Sequence, residues 1–337
     1  MISLHQLALD AVNWQTLDAY PDRTIFQTRE WLAFIAETQR AEPVVAEVRD
    51  GRRLVGTFTG AIIRRFGVRI LGSPFPGWTT AYMGFNLQAG ADRRAALAAL
   101  APFAFRDLRC WHVEIMDRYL RPEDGAALGY QVGRLPGYEI DLTRTEEELF
   151  AGMTSACRRC VRKAEREGVA VEEAEDDRFA DDFHEQLIDV FAKQGLAPTY
   201  GVERVRALIR HLQPTGRLLL LRARDPEGRC IATGIFPAMN GTMTFWGGAS
   251  WRPHQHWRPN EAIQWHAIRY WKARGMVRYD MGGGGAYKAK FGGARISVPW
   301  FRMSRFGVLS VLREQARKGA RWRQRRAGSH RPAGAAR

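Results

Sequence analysis

VVAEVRDGRRLVGTFTGAIIRRFGVRILG, residues 44–72, decides the fold, because its pattern returns as LLLLRARDPEGRCIATGIFPAMNGTMTFWGG at residues 218–248. Each stretch reads as a strand, a polar turn, a long strand, a short turn and a third strand. The turns are explicit: Asp50-Gly51 and Gly67 in the first copy, Asp225-Pro226-Glu227-Gly228 and Asn240-Gly241 in the second. The elements after each meander repeat as well. Residues 92–105 form an alanine-rich helical pattern and residues 110–117 a strand. Residues 260–275 and 277–281 do the same in the second copy, with Ile263, His266, Ala267, Tyr270 and Trp271 at helical spacing. A helix at 28–38 precedes the first meander. Helices beginning near Thr145, Ser155 and Arg178, and one at 202–212, precede the second. A period this long is a domain duplication, not a solenoid.

The expected architecture is α+β: two tandem duplicated domains, each a mixed, mostly antiparallel sheet flanked by helices. The first covers residues 1–140 and the second 141–312. Residues 313–337 lack an apolar period and are expected to be a basic, disordered tail. They hold nine of the cations, against Glu314 alone, and so carry eight of the fifteen net positive charges. The 337 residues, 45% of them hydrophobic, suffice for two packed cores. The remaining charge excess still favours anionic partners. One reading of it is a nucleic-acid- or anionic-membrane-binding protein without catalysis.

No stretch has the length of a transmembrane helix. The first residues lack the basic and apolar regions of a secretory signal. Four scattered cysteines suit a reducing cytoplasm. The expected location is cytoplasmic, with the basic tail available for peripheral contact at the inner face of an anionic membrane. Cys157-Arg-Arg-Cys160 has no second pair to complete a zinc site. It shares an apolar helical stripe with Val161 and Ala164, so small buried side chains are expected there and no metal. His254 and His256 have no neighbouring acid, and His266 lies on an apolar helix stripe.

Two stretches carry chemistry. The helix TSACRRCVRKAEREGV, residues 154–169, sets Arg158, Arg159, Arg162, Lys163 and Arg166 opposite that stripe. Such a face is either solvated or a grip for phosphate groups. YDMGGGGAYKAKFGG, residues 279–293, ends a strand in four glycines and then sets two lysines between two aromatics. Glycines permit close approach of another backbone or a ligand. A lysine beside an acyl carbonyl can stabilise an oxyanion or hold phosphate, and an aromatic ring can stack on adenine. Asp280 can take a proton from an attacking amine or order the glycine turn. The stretch SPFPGWTTAYMGFN, residues 73–86, offers Phe75, Trp78, Tyr82 and Phe85 either as a binding platform or as packing at the domain interface.

The doubled pattern resembles the tandem GNAT-like fold of the Fem-type peptidyltransferases and their acetyltransferase relatives of polysaccharide and cell-envelope biosynthesis. Three stretches carry the resemblance. They are IFQTREWL at 25–32, CRRCVRKAEREGV through Arg158, Val161, Lys163, Ala164 and Gly168, and RPNEAIQWHAIRYWKARGMVRYDMGGGGAYKAKFGG at 258–293. The resemblance implies an N-acyltransferase whose second domain is catalytic and whose first is a degenerate copy. It places Asp280 and Lys288 at the chemistry and Tyr287, Phe291, Gly282 and Gly283 at the donor; Arg258 and Asn260, at a helix start, are further candidates for donor binding. Arg158, Arg159, Arg162 and Lys163 would bind acceptor phosphates. Acyl coenzyme A is the implied co-substrate, with no permanently bound cofactor. The acceptor would be an amine of a nucleotide-sugar or lipid-linked precursor. Residues 252–260 lack the glycine-rich pyrophosphate cradle of ordinary GNAT enzymes. That departure leaves aminoacyl-tRNA open as the donor of a Fem-type peptidyltransferase.

Overall fold

The computed structural model describes residues 1–65, 67–192 and 195–306; the basic tail lies outside the described residues. The first half contributes β1 (Ile2–Leu7), β2 (Glu42–Asp50), β3 (Arg53–Arg65), β4 (Val68–Ser73), β5 (Gly84–Leu87) and β6 (His112–Met116). The connecting strand is β7 (Gln131–Asp141). The second half contributes β8 (Ala170–Glu173), β9 (Leu218–Arg224), β10 (Cys230–Met239), β11 (Thr242–Thr244), β12 (Gly247–Ser250), β13 (Arg278–Gly283) and β14 (Ala294–Ser304). The meanders and helices fall where the periodicity puts them. Helix Arg29–Gln39 starts on Thr28, whose hydroxyl accepts from Trp31 N–H at 3.2 Å. Helix Ser155–Arg166 starts on Thr154, which accepts from Cys157 N–H at 3.2 Å. Each cap satisfies a donor the helix itself leaves unpaired.

The duplication is visible in the pairing. β4 runs parallel to β6 and β11 runs parallel to β13, while the other ladders are antiparallel. The fold is thus the expected one, a mixed sheet flanked by helices in each half. The structure adds how the halves join. The strand order is β1-β2-β3-β4-β6-β14-β7-β13-β11-β10-β9-β8. β14, at the end of the second half, lies between β6 and β7, with Trp300 opposite both Met116 and Gly133. One continuous sheet therefore crosses the seam.

A shared core reinforces the seam. Trp31, Phe34 and Ile35 of the first half pack in one cluster with Phe179, Phe183, Val205 and Leu208 of the second. Separate cores lie under each half. Leu97, Leu100 and Phe301 belong to the first, and Ile263, Trp271 and Tyr279 to the second.

Phe301, on β14, is fully buried in the first half's core beside Tyr130, its ring centroid 6.2 Å away. Phe301→Ala is expected to lower stability by about 3–5 kcal/mol in urea unfolding, as emptying a large core site does. Because β14 bonds to both halves, the loss should appear as one transition that remains cooperative across the chain.

Candidate active site

The site forms where the second half's sheet opens. β11 pairs with β13 up to Thr244 opposite Asp280, and Phe245 N–H donates to the Asp280 carbonyl at 2.9 Å. At the next residue the chain changes partner. Trp246 N–H bonds the Ile235 carbonyl at 3.1 Å, and β12 continues along β10 alone. β13 meanwhile leans to β7, with Gly283 opposite Gly137. The facing edges of β12 and β13 thus separate, and a gap opens just beyond Phe245.

Two cavities flank Phe245. One, about 260 Å³, is lined by Gly248, Ala249 and Ser250 on the free edge of β12, and by Asn260, Gln264 and Tyr287. The other, about 420 Å³, lies at the seam between the halves. Asp280, Gly282 and Lys288 line it from the second half, and Thr80 and Tyr82 from the first. Asp280 and Lys288, named from the sequence, are thereby brought to one cavity.

Local conformation explains the glycines. Gly282 has φ +63°, and a Cβ there would come 3.7 Å from the Lys288 ammonium. Gly292 has φ +83°, and its Cβ would lie 2.5 Å from the Gly152 carbonyl oxygen, where no side chain fits. That close approach docks the 286–292 turn on the start of helix Ser155–Arg166. Thr154 N–H donates to the Lys290 carbonyl at 2.9 Å. The two sequence motifs therefore meet in space.

Asp280 is 1% exposed. Its carboxyl accepts from Gly282 N–H at 2.7 Å and from the Tyr82 hydroxyl. Burial pushes its pKa up, against the pull of those bonds and of Arg118. Tyr82 in turn accepts from Arg118 Nη1 at 3.0 Å, and Arg118 Nη2 bonds Glu139 at 2.6 Å. Glu139 also meets Arg278 at 3.2 Å. Lys288 donates to the Met281 carbonyl, and its ammonium sits 5.6 Å from the Phe245 ring centroid. Burial pulls its pKa down, against the charge of Asp280.

The other predicted residues scatter around this centre. Tyr287 is partly exposed and lines the smaller cavity, where Asn260 bonds the Ser250 hydroxyl at 2.9 Å. Arg258 is exposed and precedes helix Pro259–Ala273 in a left-handed conformation, φ 61°. Phe291, placed against the donor by the sequence, is instead 1% exposed in the second half's core and has no open face for a ligand. Gly283 is exposed at the edge of the larger cavity. Arg158 is occupied by the Ala151 and Met153 carbonyls. Lys163 pairs with Glu167 at 3.6 Å, while Arg159 and Arg162 are exposed. None of these four cations lines the larger cavity. Lys290 pairs with Glu261 at 2.6 Å.

His254 and His256 lie in the short helix Arg252–Trp257, and no metal-binding cluster exists among the described residues. Of the aromatics in the stretch 73–86, Phe75, Tyr82 and Phe85 are buried and Trp78 is half-buried against the core shared by both halves, which supports the packing alternative. Arg118 and Glu139 are the site residues that sequence reasoning missed, and for Tyr82 it missed the bond to Asp280. The nearest signal was position: Arg118 follows strand β6 where the glycine run follows β13.

Comparison with known proteins agrees with this fold. Residues 152–290 match the family model described as an acetyltransferase (GNAT) domain. The chain is similar to the crystal structure of FemX, with TM-score 0.71 and 13% identity over 88% of this chain and 96% of that one. It is similar to a tandem GNAT protein from the clavulanic acid biosynthesis pathway, with TM-score 0.53 and 13% identity over 90% and 98%. A third likeness is to the C-terminal domain of a putative lysylphosphatidylglycerol synthetase from Agrobacterium fabrum, with TM-score 0.52 and 12% identity over 77% and 84%. No curated protein sequence matches significantly. The fold is the GNAT-like one that FemX and the tandem GNAT protein share, and residues 152–290 of the second half match a GNAT acetyltransferase domain.

Lys288 is a half-buried amine whose depressed pKa means that its charge opposes folding below that pKa. The cost is fully present at neutral pH. It fades as pH rises through the folded pKa towards about 10.4, the ordinary lysine value. Lys288→Met is therefore expected to keep a urea midpoint at or above wild type at pH 7. Any advantage should narrow as the pH is raised, which unfolding curves at pH 7 and above pH 9 would test.

Proposed function

We propose that this N-acyltransferase moves an acyl group from acyl coenzyme A to a primary amine of a cell-envelope or exopolysaccharide precursor. The observation that carries the reading is the pair of cavities meeting at Phe245, beside Lys288 and Asp280. A two-substrate transfer needs such an arrangement: two chambers with a shared wall where the reacting atoms meet. The donor occupies the smaller chamber. There the free edge of β12 offers backbone groups to the donor's amides, as an added strand would use them. The acceptor amine enters from the larger chamber.

The amine nitrogen attacks the donor carbonyl carbon, and a C–N bond forms as the C–S bond breaks. The thiolate leaves and takes up a proton. Lys288 stabilises the negative charge on the carbonyl oxygen in the transition state. Asp280 accepts the proton that the attacking nitrogen sheds. The exposed Arg159 and Arg162 offer charge for a diphosphate of a nucleotide-sugar or lipid-linked acceptor outside the chambers. Among the described residues no helix is long and apolar enough to cross a membrane. Contact of the chain with an anionic membrane belongs to the same proposal.

One observation favours aminoacyl-tRNA as donor instead. Residues 252–257 wind into a short helix rather than a glycine cradle, and Arg252 there is paired with Asp189 at 3.0 Å. Helix Pro259–Ala273 begins on a proline, which has no N–H, and Glu261 adds a carboxylate to its first turn. A diphosphate finds few donors there.

A thermal-shift titration with acetyl coenzyme A, with ADP as control, separates the two. Ligand at about a hundred times its dissociation constant adds about 2.7 kcal/mol, or roughly 4 °C in a chain of this size. A saturable shift that is lost in Lys288→Ala is the expected result. No shift at millimolar ligand overturns the coenzyme A reading and makes charged tRNA the donor to assay. With either donor, Lys288→Ala combined with Asp280→Asn should abolish transfer and leave the melting temperature near wild type. Transfer surviving both changes would sink the assignment of the chemistry to these residues.

A further inference from the structure

At the place equivalent to the second half's gap, the described residues of the first half take a different course. In the second half the chain leaves β11 and rejoins β10 as β12 after only Phe245 and Trp246. In the first half β4 stays with β6 through Ser73 opposite Ile115, and the chain returns to β3 only at Gly84. Residues 74–83 are a long excursion at the equivalent place. Its neck is closed: Ser73 donates to the Thr59 carbonyl and accepts from Gly84 N–H at 2.8 Å. The excursion packs on residues 24–31 of its own half and reaches beyond them. It crosses the seam, tied there by Arg204 of the second half, which donates to the Trp78 carbonyl and to Thr79 Oγ1 at 3.2 Å. Trp31 Nε1 holds Thr80 at 3.2 Å. The last turn of the excursion delivers Tyr82 to the Asp280 carboxyl, 198 residues away in sequence.

Asp280 therefore has one carboxyl oxygen set by its own half, through Gly282 N–H, and the other set by the first half, through Tyr82. The Tyr82 hydroxyl has a single proton. Arg118 has no acceptor capacity and donates to the Tyr82 oxygen, so that proton is turned towards Asp280. Arg118 follows β6 and also belongs to the first half. Its other nitrogen is fixed by Glu139 of β7, at the seam. The guanidinium lies over the Tyr82 ring at 5.4 Å as well, so the phenol is held by its face and by its oxygen.

We propose that Tyr82 and Arg118, from the first half, are positioning residues for Asp280, so that the acyl-transfer site is assembled by both halves. The proposal rests on Asp280 being the proton acceptor. Tyr82 fixes the direction of the carboxyl and supports its ionised form; Arg118 fixes Tyr82 and adds a positive charge behind it. The charged and titratable groups facing Asp280 are Tyr82, Arg118 and Glu139 from across the seam, and Lys288 and Tyr279 from its own half, with Arg278 behind Glu139. Glu139 opposes ionisation of Asp280 and Arg118 supports it. Losing either Tyr82's donor or Arg118's charge therefore makes the carboxyl harder to ionise.

The test reads that carboxyl directly. In protein labelled with ¹³C at the aspartate carboxyl, the Asp280 resonance is the one that vanishes in Asp280→Asn. Its titration midpoint is expected to rise by about one pH unit or more in Tyr82→Phe and in Arg118→Met. Arg118→Lys, which keeps the charge, should restore part of the shift. Midpoints equal to wild type in both variants, with thermal unfolding unchanged, overturn the proposal. If Tyr82→Phe does not fold, Arg118→Met decides alone. No substrate is present in this measurement, so its failure is separate from a failure to find acyl transfer. Where transfer is measured, the acid limb of kcat should move with the midpoint and donor KM should stay constant. A limb that ignores both variants reduces Tyr82 and Arg118 to structural contacts and also overturns the positioning role.

Discussion

The strand that ends the second half holds the site together. β14 bonds to β6 on one edge and to β7 on the other, and so makes one sheet of two meanders. Backbone pairing of this kind has fixed spacing and little freedom to slide, since a one-residue slip would turn every side chain to the opposite face. Phe301 would leave the core and Trp300 would lose its place beside β6 and β7. Because β14 fixes the distance between β6 and β7, it also fixes Arg118, just after β6, against Glu139 on β7. The 420 Å³ cavity between the halves is bounded by the same strands, with Ile296 and Val298 on β14 and Leu135 on β7 among its walls.

Given that frame, the two copies have diverged in one place that matters. Both run a parallel pair up to an acidic strand: Gly72 stands opposite Glu114 in the first, and Thr244 opposite Asp280 in the second. Both acids are buried. In the second copy the neighbouring strand leaves promptly and a gap opens beside the acid. In the first copy a long excursion starts at that point, and its neck is closed by Ser73. Glu114 there meets Trp300 Nε1 at 3.0 Å. The duplication thus produced one half with an opening and one half that sends a loop into it.

The sequence carried the architecture well because architecture is mostly local. Asp50-Gly51 and Asn240-Gly241 make hairpins whatever surrounds them, and Thr28 and Thr154 start their helices by satisfying nearby donors. The glycine run also announced itself, and Asp280 and Lys288 do share a cavity. What was hidden depends on distant pairs. Nothing in SPFPGWTTAYMGFN distinguishes a tyrosine that packs from one that bonds a carboxylate in the other half. The partner is far along the chain, and a loop has no periodicity to say which way each ring points. The same limit misled the reading of Phe291. Tyr287 and Phe291 are four residues apart around a single helical turn, with rings 5.4 Å apart edge to face, yet one faces the cavity and the other the core. Arg158 looked like a free cation because the acceptors it satisfies are backbone carbonyls, which every residue has.

The ionisable pair at the cavity gives the arrangement its chemical sense. Burial acts on Asp280 and Lys288 with opposite sign, raising the acid and lowering the amine. Each group is moved towards its neutral form, and so towards the pH at which a proton can be exchanged. Left alone, burial would neutralise the acid and remove its capacity to accept a proton. The phenol of Tyr82, the N–H of Gly282 and the charge of Arg118 work the other way and hold the carboxylate available. Lys288 has one hydrogen bond, to a backbone carbonyl, beside the face of Phe245 and the charge of Asp280, where the acid has two hydrogen bonds. The acid is therefore held firmly and the amine loosely. That suits their tasks, since a proton acceptor must be aimed at one nitrogen, whereas a flexible ammonium can follow charge as it grows on the carbonyl oxygen.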